Sequence, residues 1–156
     1  MDNAKASFMD AALEEARAAE ARGEVPVGAV LVRNGSVIAR NGNRTRELND
    51  PTAHAEMLVI REAANGFKSE RLADCDLFVT LEPCAMCAGA ISFARLGRLY
   101  FAASDPKSGG VEHGARVFSQ STCHHAPEVY SGINDAESSV ILKRFFQKRR
   151  AQSQGI

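Results

Sequence analysis

Two short segments hold residue types that can do chemistry together, His54-Ala-Glu56 and Pro83-Cys84-Ala-Met-Cys87. The spacing of Cys84 and Cys87 puts both on one face of a helix. In the first turn of that helix, free N–H groups and the positive end of the dipole favour thiolate, the form that binds metal. Two thiolates make half of a tetrahedral Zn²⁺ site, and His54 is the best-placed imidazole to supply a third donor. His54 and Glu56 would diverge by about 200° along a long helix, but side chains at a helix N-terminus lean back past its end. Both then approach one point, His54 as a ligand and Glu56 within reach of a water on the metal. Three protein ligands with one open position mark catalytic zinc, whereas four mark structural zinc. Water at such an ion ionises near neutral pH, and Glu56 is placed to take its proton and return it to a substrate. Each segment alone is ambiguous. A Cys-x-x-Cys pair is a metal site, a redox pair or simply buried, and a glutamate on a helix is usually solvated. The conjunction carries the reading.

The elements that must position these residues are marked by local signals. Residues 5–22 contain no Gly or Pro and repeat Phe8, Met9, Ala12, Leu13 and Ala16 at helical spacing, with Gly23 closing the helix. Asn34-Gly35 between two β-rich runs, 27–33 and 36–40, predicts a hairpin. Asp50-Pro51 reads as a helix entry with Asp50 as N-cap, the helix running to about residue 64 and ending at Asn65-Gly66. Residues 76–81 and 98–102 read as strands, and 84–95 between them as a helix opened by Pro83. Residues 103–127 are loop-rich, with short helical turns, and 128–131 form a last strand. Asn134 and Glu137 resemble a capping box for a final helix whose core face is Ile141, Leu142, Phe145 and Phe146, fraying after Arg150. Strands alternating with helices predict an α/β sheet covered on both faces.

Composition is that of an ordinary globular domain. Of 156 residues, 45% are apolar and 24% charged, and no repeat, linker or low-complexity run divides them, which predicts one domain over 1–156. No apolar stretch approaches the ~20 residues of a membrane span. The 19 basic and 19 acidic residues cancel, which argues against a general nucleic-acid coat protein but allows a local basic patch. No basic-then-apolar run opens the chain, so its four cysteines point to the reducing cytoplasmic compartment.

His-x-Glu followed by Pro-Cys-x-x-Cys is the zinc-deaminase signature. The sequence resembles the bacterial tRNA-specific adenosine deaminases of the zinc-dependent cytidine/deoxycytidylate deaminase superfamily. The likeness runs through Glu24-Val-Pro-Val-Gly-Ala-Val30, Asp50-Pro-Thr-Ala-His-Ala-Glu56, Thr80-Leu-Glu-Pro-Cys-Ala-Met-Cys-Ala-Gly-Ala90 and Phe145-Phe-Gln-Lys-Arg-Arg150. It implies a three-layer α/β/α sandwich around a five-stranded mixed sheet. It implies one Zn²⁺ per subunit held by His54, Cys84 and Cys87, with Glu56 as proton shuttle. It implies that Asn43, in Gly42-Asn-Arg44, hydrogen-bonds the target nucleotide and that Asp105 lies near the anticodon-loop backbone. The implied activity is hydrolytic conversion of the wobble adenosine to inosine in the anticodon stem-loop of an arginine tRNA, by a homodimer.

The last helix carries Lys143, Arg144, Lys148, Arg149 and Arg150 around Phe145 and Phe146. Such a pattern is a phosphate-facing surface with an apolar anchor, or a solvated face. Arg149 and Arg150 are the candidate tRNA contacts there, and Lys107 is a weaker one. Cys123-His124-His125 and His113 read as surface or packing residues, and Cys75 as a small buried one. A deaminase of a free nucleobase or nucleoside, of guanine or cytosine type, shares the same zinc site. A zinc-structured RNA-binding module and a Cys-x-x-Cys redox protein are further alternatives.

Overall fold

The structure, a computed structural model, describes residues 3–154. Helix α1 (Asn3–Ala21) precedes the hairpin of β1 (Gly28–Arg33) and β2 (Ser36–Gly42). Then come α2 (Ala55–Phe67), β3 (Cys75–Leu81), α3 (Ala85–Phe93) and β4 (Arg98–Ala103). A 3₁₀ turn at Val117–Ser119 leads to β5 (Glu128–Ser131) and α4 (Asp135–Gln154). The five strands form one sheet in the order β2-β1-β3-β4-β5. Strand β1 is antiparallel to β2 and β3, while β3, β4 and β5 run parallel, so the sheet is mixed.

Side-chain alternation along the strands builds the layers. Ala29, Leu31, Leu77, Val79, Leu99 and Phe101 join Ala55 and Val59 of α2 and Ala88 and Ile91 of α3 in one core. Val30, Val32, Phe78 and Tyr100 point the other way and pack on Met9 and Ala12 of α1. Both faces of the central strands are covered, which is why they read as almost continuous apolar runs. Phe78, Tyr100 and Tyr130 stack across three neighbouring strands at ring separations of 4.3 and 5.0 Å. Helix α4 is tied to α1 by the Arg144–Glu20 ion pair at 2.6 Å and by Arg17–Glu137. Such surface pairs contribute about 0–1 kcal/mol each. The buried Ile141, Leu142 and Phe145 contribute more, roughly 1.5–3 kcal/mol each.

The hairpin forms as its turn residues require, with φ of 51° at Asn34 and 76° at Gly35. Three expectations are corrected. Helix α2 begins at Ala55, because Asp50 Oδ1 accepts both the N–H and the hydroxyl of Thr52, at 2.8 and 2.7 Å. That local turn consumes the carboxylate and leaves His54 to start the helix. No capping box forms at α4, because Asn134 Nδ2 donates to Asp10 and Glu137 pairs with Arg17. Finally, α4 continues past Arg150 to Gln154; positions 155 and 156, where the frayed tail was also expected, lie outside the described residues.

Gly28 opens β1 where α1 crosses it. A Cβ there would run into the carbonyl oxygen of Ala12 and come within 2.5 Å of the amide nitrogen of Ala16. Gly28→Ala is therefore expected to destabilise the fold by about 1–3 kcal/mol or more, measured as a lowered urea midpoint. A wild-type midpoint would mean that α1 shifts without cost.

Candidate active site

The two helices with chemistry at their starts are both entered through a donor residue. His54 is the N-cap of α2 and Cys84 the N-cap of α3, both extended in backbone, and neither side chain caps its own helix. Each is therefore free to project beyond the helix end. The cap of α2 comes from elsewhere: Asn43 Oδ1 accepts the N–H of Ala55 at 2.8 Å. Cys87, one turn into α3, is fully buried.

These residues meet. His54 Nδ1 lies 3.6 Å from Cys84 Sγ and 3.5 Å from Cys87 Sγ. The three donor atoms all lie within 4.8 Å of one another, the one such grouping of His, Cys, Asp and Glu found among the described residues. Zn–S and Zn–N bonds of about 2.3 and 2.0–2.1 Å at a tetrahedral angle give an S···N edge of about 3.6 Å. The donor set thus has the dimensions of three corners of a zinc tetrahedron, and its chemistry of two sulfurs and one imidazole suits that ion.

The charges inside the cluster are coupled. A hydrogen bond from the Cys87 thiol, with a second from His54, brings the Cys84 thiol down to about 4. The proton on Cys87 is correspondingly held, because Cys87 donates to Cys84 and is buried beside Glu56. His54 is raised by its hydrogen bond to Cys84, against the opposing effect of burial. The same groups must give up protons to bind a cation, so metal affinity at this cluster is coupled to pH. Glu56 is 4% exposed, and burial raises its carboxyl above the ordinary range.

A cavity of about 770 Å³ opens above the cluster, with His54, Glu56 and Cys84 in its lining. Asn43 forms part of one wall. Its carbonyl accepts from Arg22 at 3.1 Å and its Oδ1 is engaged with α2, while its Nδ2 has no hydrogen bond among the described residues. Asp105, Lys107 and Ser108 form another wall. Asp105 Oδ1 is committed to its own turn, accepting the N–H groups of Lys107 and Ser108 at 3.2 and 3.0 Å. Lys143, Phe146 and Arg150 of α4 complete the lining. Arg149 does not join them at this cavity. Its guanidinium lies over the Phe145 ring at 4.8 Å and donates to the Gly23 carbonyl at 3.4 Å.

Two buried carboxylates that the residue pattern did not single out hold the walls. Glu24 is 1% exposed and accepts the N–H groups of Arg46 and Glu47 at 3.1 and 2.8 Å, bracing the loop after Asn43. Glu82 is 2% exposed and gathers N–H groups from the loop that begins at Asp105. The available signal was a glutamate among apolar residues, as in Thr80-Leu-Glu-Pro83, but nothing in the sequence named the partners. Among the residues expected to pack, Cys75 is buried, His113 bonds Glu82, and His125 Nε2 lies 2.7 Å from the Leu96 carbonyl.

Comparison with known proteins agrees with this geometry. The model of the MafB19-like deaminase family matches residues 2–150. The chain is 64% identical over 143 residues to a tRNA-specific adenosine deaminase of Agrobacterium fabrum, covering 92% of this chain and 94% of that one. It is 49% identical over 145 residues to the tRNA-specific adenosine deaminase of Rickettsia typhi, covering 92% and 98%. A solved structure from work on A-to-I editing by tRNA:A34 deaminases at the wobble position superposes with a TM-score of 0.86 at 65% identity, covering 87% of this chain and 99% of that one.

Burial opposes ionisation of Glu24, but the N–H groups of Glu47 and Arg46 and the Thr45 hydroxyl overcome it and hold the carboxyl below its ordinary value of 4.5. A carboxyl depressed in the folded state stabilises the fold fully above its unfolded value, and that stability is lost as pH falls towards the folded one. Glu24→Gln is expected to cost about 1–3 kcal/mol at pH 7. It should also flatten the fall in urea midpoint below about pH 4.5. A variant that keeps the wild-type acid profile would show that Glu24 is not the group responsible.

Proposed function

This chain belongs to the MafB19-like deaminase family and, within it, to the tRNA-specific adenosine deaminases, and on that premise we propose a site-by-site account of how it deaminates the wobble adenosine of a tRNA anticodon to inosine. The observation that carries the account is the meeting of His54, Cys84 and Cys87 at zinc dimensions beneath a cavity that also holds Glu56.

His54, Cys84 and Cys87 hold one Zn²⁺ per subunit. When bound, that ion supplies Lewis acidity, which makes water a nucleophile near neutral pH. The reaction forms a C6–O bond, breaks the bond from C6 to the exocyclic amine and releases ammonia. Glu56 carries the protons: it accepts one from the attacking water, protonates the purine ring nitrogen, and then serves the departing amine. Burial raises its carboxyl above the ordinary range, the direction that suits a group that must both take up and give back a proton. Asn43 has Oδ1 fixed by α2, so its Nδ2 presents a donor of set direction to the nucleotide. Asp105, Lys107 and Arg150 face the RNA backbone from the cavity rim. Arg149, packed on Phe145, supports α4 there and is assigned no direct phosphate contact. An unpaired loop suits this cavity, because its bases unstack at low cost.

The substrate is an anticodon stem-loop, in the first instance that of an arginine tRNA. The working form is a homodimer: Phe93 on α3 is 80% exposed, an unusual state for a phenylalanine and one that a second copy would relieve. No helix among the described residues is long and apolar enough to cross a membrane, and a tRNA substrate supports a cytoplasmic location.

The direct test is incubation with an arginine tRNA anticodon stem-loop followed by inosine detection at the first anticodon position. Inosine is expected there. Ammonia from a free base or nucleoside, with the stem-loop untouched, would overturn the assignment. Glu56→Gln should retain zinc and lose turnover by roughly 10²–10⁴-fold; undiminished turnover would remove Glu56 from the chemistry. Metal analysis should find one zinc per chain, and Cys87→Ala should lose it, along with activity. Retention of zinc in Cys87→Ala would show that the ion is held elsewhere.

A further inference from the structure

One buried carboxylate that the chemistry above leaves unused stands between the turn bearing Cys84 and the opposite wall of the cavity. The Glu82 side chain is fully enclosed. Its Oε1 accepts the N–H of Asp105 at 3.0 Å and lies 2.8 Å from Nδ1 of His113. Its Oε2 accepts the N–H groups of Val111, Glu112 and His113 at 3.2, 2.9 and 3.2 Å. Three successive N–H groups converging on one oxygen form an anion-binding nest, filled here by a carboxylate of the same chain.

Packing leaves this seat little freedom. A Cβ on Gly109 would strike Glu82 Oε2, and one on Gly110 would come within 2.5 Å of the Ala85 nitrogen. Gly110 N–H donates to the Pro83 carbonyl at 2.8 Å. The loop from Asp105 to His113 is therefore pressed against the start of α3, the helix that presents both cysteines. The same loop carries Asp105, Lys107 and Ser108 on the cavity wall. Asp105 links the two ends of this arrangement: its N–H goes to Glu82 and its Oδ1 sets the turn through Lys107 and Ser108.

We infer that Glu82 is a positioning residue for the RNA substrate, fixing where the Asp105–Lys107–Ser108 wall stands relative to the metal donors, and so acting on substrate binding and not on bond breaking. The inference rests on the adenosine deaminase reading. A glutamine at position 82 keeps the volume but sets an NH₂ against loop groups that are themselves donors. The wall then loosens. The turn to Cys84 keeps its own backbone ties, among them Glu82 N–H to the Ala103 carbonyl at 2.8 Å.

The test uses the zinc-loaded full chain as wild type, Glu82→Gln and His113→Ala, with an RNA stem-loop carrying adenosine at the first anticodon position. Inosine kinetics, zinc content and amide hydrogen exchange at residues 105 and 111–113 are measured together. Glu82→Gln should raise KM by about tenfold or more with kcat within about threefold. Its zinc content should match wild type and the four amides should exchange faster. His113→Ala, which removes only the imidazole contact, should raise KM less. If Glu82→Gln does not fold, His113→Ala and Gly109→Ala carry the test, since both keep the carboxylate and disturb its seat; KM should rise in each. Loss of zinc would put Glu82 in the metal site, and a fall in kcat at constant KM would put it in the chemical step. Faster amide exchange with unchanged kinetics would make the contact purely structural. Each of these results overturns the inference. A wild-type chain that forms no inosine overturns the deaminase reading itself, whereas active wild type with unaltered variants overturns this role alone.

Discussion

Two helices begin at almost the same point in space, and the rest of the site depends on it. An N-cap side chain projects past the end of its helix, so His54 and Cys84 reach the space between α2 and α3 without disturbing either hydrogen-bond ladder. Bringing two positive helix ends together is unfavourable in isolation. The cluster answers with negative charge, in the thiolate character of Cys84. The sheet then holds the two helix starts in place, because α2 and α3 pack on the same face. Small side chains at that contact, Ala55, Ala63 and Ala88, let the helices lie close to the strands. A donor set with edges of 3.5 and 3.6 Å tolerates little movement, so this packing sets the spacing of the donors as well as contributing to stability.

The walls above the cluster follow a second rule. Loop N–H groups need partners, and a buried carboxylate needs donors. Glu24 and Glu82 meet both needs at once. Each lies close to a strand, and each collects N–H groups from a segment distant in sequence, Arg46 and Glu47 in one case and Asp105 to His113 in the other. Irregular segments thereby become walls of defined shape. The exposed ion pairs of Arg40 with Glu14 and Glu15 work differently: they fasten α1 to β2 in water, where such pairs are weak.

Much of the fold was legible because its signals are short-range. Asn34-Gly35 needs positive φ at two adjacent positions and needs nothing distant to obtain it. The core face of α1 follows from period alone. Asp50 misled for an equally local reason: the same side chain that can cap a helix can close a turn with Thr52, and the turn prevailed. The basic end of α4 read as one surface, but helical rotation divides it. Lys143, Phe146 and Arg150 reach the cavity, while Arg144 is held by Glu20 and Arg149 by Phe145 and Gly23. Burial of Glu24 and Glu82 had no periodic signature, since it depends on where residues more than twenty positions away come to rest.

Residue identity and near-neighbour spacing were enough to single out the donor types, the carboxyl beside them and the class of fold, because thiolate chemistry, turn preference and strand alternation all act over a few residues. The distances between His54 and the cysteines 30 and 33 positions beyond it were set by strand order, through the face on which α2 and α3 pack. The same holds for the seat of each buried glutamate and for the side chains of α4 that face the cavity. These are long-range contacts, made when separate segments share one core, and no short stretch of the chain contains them.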